Sequence, residues 1–125
     1  NIAFTLNETA ARYDDLRLLL LFGSRSRNQA GTDSDWDFGY IANQEFDSGP
    51  LYTDIVLKLK TEKIDLVDLS HANGLLRFRA AQDGYLIYET PSGEYEKFWT
   101  AAVHFWCDAG PLIRAEYEVI LERLG

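Results

Sequence analysis

Apolar residues along this chain fall into two kinds of run, short unbroken blocks and longer stretches with helical spacing. Leu18 to Phe22 is a block of five apolar residues stopped by Gly23. It is too short for a helix and apolar on both faces, so it predicts a strand over Arg17–Phe22 in the middle of a covered sheet. Asp35–Ala42 and Lys63–Leu69 predict a second and a third strand, and Tyr85–Tyr88 a short fourth. Helical spacing puts Leu6, Ala10 and Tyr13 on one face of Thr5–Tyr13, with Thr5 or Asn7 as its cap. The same spacing aligns Leu51, Ile55 and Leu59 over Leu51–Lys60. It also aligns Leu75, Leu76, Arg79 and Gln82 over Ala72–Asp83, where Gly84 ends the run. Arg25 to Gln29 can begin a further helix after the glycine turn. Ala30–Ser34, Asn43–Pro50 and Thr90–Gly93 are loops by composition. Glu94–Leu124 reads as helix, broken at Gly110-Pro111. Alternating strands and helices indicate a layered α/β (α+β) domain. The expected architecture is a small mixed sheet of about four strands flanked by helices, with a long C-terminal helical segment.

The chain of 125 residues fits a single domain, with a core over residues 1–90 and helices over 91–125. The single cysteine, Cys107, excludes an intrachain disulfide and a cysteine metal cluster, and is expected to be a small buried apolar residue. A net charge of −8 argues against coating nucleic acid, which needs a basic face, and suits divalent cations or a basic protein partner. No apolar run approaches the ~20 residues of a membrane helix, and no signal peptide is evident. The chain contains no methionine, so the natural start is expected to be processed or to lie elsewhere. The cytoplasm is the expected compartment.

Chemistry concentrates between Leu19 and Ile41. A strand feeding Gly23-Ser24 into a helix start offers unpaired backbone N–H groups and a positive helix end, which suit a phosphate. Arg25 and Arg27 add fixed positive charge. Ten residues separate Ser24 from Asp35-Trp36-Asp37. Strand residues two apart share a face, so both carboxylates project together and favour a compensating cation. Hard oxygen ligands with a neighbouring phosphate site suit Mg²⁺. Asp65 and Asp68 offer a third carboxylate. Their spacing puts them on opposite faces, so at most one can join the pair, and the pattern alone leaves the choice open.

Gly-Ser, ten residues, Asp-x-Asp and then a strand bearing another aspartate resembles the nucleotidyltransferase superfamily that includes DNA polymerase β. FGSRSRNQAGTDSDWDFGYIA followed by KIDLVDL looks like its minimal nucleotidyltransferases. HANGLLRFRAAQDGYLIYE is similar to the segment that follows in antitoxin members, which are encoded with a HEPN-type ribonuclease toxin. The resemblance implies a polymerase β-like fold and transfer of AMP from ATP to a tyrosine hydroxyl of the toxin. It implies that Asp35 and Asp37 hold two Mg²⁺ ions, and that Asp65 is the third carboxylate, on the acceptor side. Gly23, Ser24, Arg25 and Arg27 would hold the triphosphate. Many relatives have glycine where this chain has Asn28, a residue that tolerates a left-handed turn.

Two other readings remain in play. An antitoxin could inhibit its toxin by occlusion alone, which needs none of the three aspartates. Transfer to a small molecule such as an aminoglycoside usually involves a larger second domain. Polymerase activity lacks a basic channel here. His71 and His104, 33 residues apart, carry no partnering motif and are expected to be structural or surface residues. Phe98, Trp99, Phe105 and Trp106 make the last segment apolar on more than one face, so core packing and a partner surface are both expected there.

Overall fold

The computed structural model describes residues 1–23 and 35–124. The chain runs α1 (Ile2–Ala11), β1 (Leu16–Phe22), β2 (Trp36–Ala42), α2 (Gly49–Leu59), β3 (Ile64–Asp68), α3 (Gly74–Asp83), β4 (Tyr85–Glu89), α4 (Glu94–Asp108) and α5 (Pro111–Leu124). The four strands form one sheet in the order β3-β2-β1-β4. β1 pairs antiparallel with β2 and β4, whereas β2 and β3 run parallel. The sheet is therefore mixed. The all-apolar block is its central strand, as its two-faced pattern requires.

A bulge explains how β1 serves two cores. Its register against β2 shifts between Leu16 and Leu18, so Leu16 and Leu19 fall on one face while Leu18, Leu20 and Phe22 fall on the other. The first face packs with Leu6, Ala10, Phe38, Leu51 and Ile55, from α1, β2 and α2. The second packs with Leu69, Ala80, Ala81, Phe98 and Ala102, bringing in α3 and α4. Each fully buried leucine contributes roughly 1.5–3 kcal/mol relative to exposure.

Polar ties lock the layers. Tyr13 donates its hydroxyl hydrogen bond to Asp54, joining the end of α1 to α2. Burial first, then this bond and the Asp54 charge, push the phenol up to about 12. Arg17, turned out by the bulge, pairs with the buried Glu94 at the start of α4. Burial alone would raise the Glu94 carboxyl. Hydrogen bonds from Arg17 and Ser92, with the charges of Arg17 and Lys97, outweigh it and hold the group below its ordinary value.

The helical segment divides where Gly110-Pro111 predicts. A Cβ at Gly74 would meet the Phe105 ring at 2.6 Å, and Phe78 stacks on Trp106 with centroids 4.4 Å apart, so α3 and α4 approach closely. Phe98 is buried, while Trp99 is 46% exposed and Leu112 on α5 is 75% exposed. Among the described residues α5 packs extensively against no other element, and no helix is long and apolar enough to cross a membrane.

Three expectations need correction. α1 starts at Ile2, because the Asn1 side chain accepts from the Ala3 N–H; Thr5 and Asn7 lie inside the helix. α2 runs Gly49–Leu59 rather than Leu51–Lys60, with Pro50 in its first turn and Lys60 ending it in the left-handed region at φ 57°, while Leu59 packs on the expected stripe. Cys107 is exposed, not buried, because it lies on the face of α4 opposite the buried Phe98, nine residues and half a rotation away.

Candidate active site

The site forms where one row crosses three strands. Phe22 of β1 lies opposite Asp37 of β2, and Asp37 lies beside Asp65 of the parallel β3. Together with Val67, Leu76 and Arg79 they line a pocket of about 220 Å³. Gly23 leaves β1 with φ 77°, a conformation that side-chain-bearing residues rarely adopt. A Cβ there would stand 2.5 Å from Asp37 Oδ2. The turn glycine thus lets the main chain lie directly against the carboxylate.

Parallel pairing decides between the two aspartates of β3. Asp65 faces Asp37, whereas Asp68 lies opposite Tyr40 at the far end of the strands. There Asp68 Oδ1 accepts from the Ser70 N–H at 2.9 Å, and Oδ2 lies 2.6 Å from His71 Nδ1. Asp68 is occupied locally. Asp65 is the one that lies beside Asp37.

Asp37 is half-buried and its pKa is raised, first by burial and then by the negative charge of Asp65. Arg79 pulls it down, and Asp35 adds a smaller upward push. Asp35 itself stands exposed just ahead of β2 and does not line the pocket. Among the described residues no three potential metal ligands are gathered into one group. The structure therefore brings Asp37, Asp65 and Gly23 together and leaves Asp35 out of the pocket lining. Ser24, Arg25, Arg27 and Asn28 lie outside the described residues, as do the helix start expected over Arg25–Gln29 and the loop over Ala30–Ser34.

Sequence reasoning missed Arg79 as a site residue. It stands on the buried stripe of α3, 7% exposed, with Nε 3.9 Å from Asp83 one turn later. The available signal was an arginine following Leu75 and Leu76 at helical spacing, with an acid at i+4. His71 and His104 are both exposed, in keeping with surface roles. A wider groove of about 490 Å³ along α4, which includes Lys97, Thr100 and His104, lies away from the carboxylates.

Known proteins show the same arrangement of sequence and fold. The chain is 34% identical over 95 residues to the protein adenylyltransferase MntA of Aphanizomenon flos-aquae, a match covering 66% of this chain. The matched part spans 63% of that relative's length. Among solved structures, a mutant form of an MntA toxin–antitoxin complex superposes with TM-score 0.69 at 21% identity, covering 97% of this chain and 96% of that one. The tri-AMPylated HEPN toxin of Shewanella oneidensis in complex with its MNT antitoxin gives TM-score 0.65 at 21% identity, covering 98% and 94%. A toxin–antitoxin structure with AMP-PNP gives 0.68 at 24%, covering 98% and 95%. These likenesses fix the fold. Residues 5–92, which include every strand among the described residues, match the family described as polymerase beta, nucleotidyltransferase, and the chain belongs to that family.

Proposed function

We propose that this protein is an adenylyltransferase antitoxin that transfers AMP from ATP to a tyrosine hydroxyl of a cognate HEPN ribonuclease toxin, in the cytoplasm. The observation that carries the reading is the side-by-side placement of Asp37 and Asp65 on parallel strands, with the Gly23 turn against Asp37. Occlusion of a partner requires none of these features. The 34% identity to a protein adenylyltransferase supports the same reading.

The residues fit a divalent cation. Asp37 and Asp65 are hard oxygen donors whose charges repel one another side by side in the pocket, and Asp35 adds a smaller negative influence on Asp37. Mg²⁺, two ions in this proposal, would be held by Asp35, Asp37 and Asp65, and would neutralise phosphate charge and lower the pKa of the acceptor hydroxyl. Gly23 and Ser24, with Arg25 and Arg27, would hold the triphosphate by backbone N–H groups, a hydroxyl and fixed charge. Asp65, on the side away from the glycine turn, would orient the acceptor hydroxyl and take its proton. The acceptor oxygen then bonds to the α-phosphorus, the bond to the bridging oxygen breaks, and pyrophosphate leaves with that electron pair.

Residues 1–90 would supply this chemistry and 91–125 the partner surface. Exposed Trp99, Leu112, Val119 and Ile120 support that division, and they are also what an antitoxin acting by occlusion alone would use. Co-expression with the neighbouring toxin gene, followed by intact-mass measurement of the partner, separates the two readings. Wild type should add one or more AMP units, and the Asp35→Ala/Asp37→Ala variant none. A partner that stays unmodified yet is bound and silenced would leave occlusion as the function. Failure to find any partner would redirect the search to small-molecule acceptors.

A further inference from the structure

Arginine is seldom buried, and in a protein it cannot shed its charge, so a buried guanidinium needs anions around it. Arg79 is 7% exposed. One helical turn on, Asp83 stands 3.9 Å from Nε, longer than a charge-assisted hydrogen bond. The pocket that Arg79 lines also carries Asp37 and Asp65. The neighbouring Arg77 has a different task, since its guanidinium lies 5.9 Å from the Phe98 ring centre in the packing between α3 and α4. Of these two arginines on one helix, Arg79 is the one that shares a pocket with the acidic pair.

We propose that Arg79 is a positioning residue: its buried guanidinium, with Asp83 one turn on along α3, is the internal counter-cation that keeps Asp37 and Asp65 side by side when no divalent ion lies between them. Two carboxylates at adjacent positions of paired strands repel, and like charges directly opposite destabilise a sheet. Part of that repulsion is cancelled by a charge carried on α3 rather than on the sheet. The pocket is thereby formed before a metal arrives, so binding does not have to reorganise the strands. Asp83 completes the device by limiting where the guanidinium can go. The ionic coupling involves only residues of this chain, while its consequence for metal binding rests on the nucleotidyl-transfer reading above.

The test is thermal unfolding of Arg79→Met, which keeps an apolar stem, alongside Arg79→Lys, Asp37→Asn and the Arg79→Met/Asp37→Asn double variant. Each is measured in EDTA and in saturating MgCl₂. In EDTA, Arg79→Met should lower the midpoint by about 5 °C or more. In the Asp37→Asn background the same change should cost less than half as much, because the charge it served is gone. Arg79→Lys should recover part of the loss. In MgCl₂ the gap between wild type and Arg79→Met should narrow as the bound ion takes over. An equal cost of Arg79→Met with and without Asp37 would overturn the proposal, and so would a double variant that folds no better than Arg79→Met. Coupling to Asp37 with no response to Mg²⁺ would uphold the positioning role and defeat the metal reading instead.

Discussion

The paired strands β2 and β3 carry carboxylates at both ends, and the two ends behave oppositely. At one, Asp37 and Asp65 face each other across the register beside a glycine turn and a buried arginine. At the other, Asp68 gives one oxygen to the Ser70 N–H and the other to His71, both within three residues of it. The chemical groups are the same. What differs is the distance along the chain of their partners. A carboxylate satisfied by its own turn builds a cap, as side-chain acceptors do in tight turns. One left facing another carboxylate remains available to something that arrives from outside.

The largest effect should separate the two ends by activity. Asp37→Asn and Asp65→Asn are each expected to lower AMP transfer by roughly 10²–10⁴-fold, a typical cost of losing a positioned catalytic group. Asp68→Asn should leave it within about twofold, as for a surface substitution. Steady-state transfer with purified partner reads this directly. Equal losses at both ends would erase the distinction.

A smaller effect separates them by stability. Asp37→Asn should raise the midpoint by about 2–4 °C at neutral pH, because it removes a half-buried charge held against another. Asp37 has a folded-state pKa above its ordinary 3.8, so its ionised form costs stability above the folded value. The gain from Asp37→Asn should therefore shrink as pH falls through that value and vanish below 3.8. Glu94 runs the other way. Its folded-state pKa is depressed, so the stability it supplies is present above its ordinary 4.5 and is lost as pH falls through the folded value. The cost of Glu94→Gln should fade over that acid window, and melting curves between pH 3 and pH 7 would show the two trends with opposite slopes. Parallel slopes would mean that Asp37 is not strained.

The smallest effect belongs to the far end. His71 has 83% of its side chain exposed, so His71→Ala should change stability by less than about 0.5 kcal/mol. A larger loss in denaturant titrations would show that the Asp68 turn supports more than itself.

Much of the architecture was legible from local pattern, because strands and helices announce themselves by period. The two-faced block at Leu18 to Phe22 had to be central, and Gly110-Pro111 had to divide the last helix. The choice between Asp65 and Asp68 could not be read that way. Both sit on one strand, and only the register against β2 tells which end faces Asp37. Arg79 escaped for a related reason, since an arginine on a helix ordinarily reaches water and its burial depends on elements distant in sequence. Cys107 was misjudged because residue type suggests burial, while its place on the face of α4 opposite Phe98 decides exposure.

Gly23 also limits which second-site mutations could suppress its replacement. Loss of a tight contact can often be rescued by a compensating change in the neighbour. Here the position is specified twice, by its φ of 77° and by the Asp37 oxygen 2.5 Å from where a Cβ would stand. Shrinking residue 37 would clear the collision and leave the torsion unfavourable. Relaxing the turn would clear the torsion and leave the collision. No single second-site change can therefore rescue a larger residue at position 23, and a search for revertants should return glycine itself.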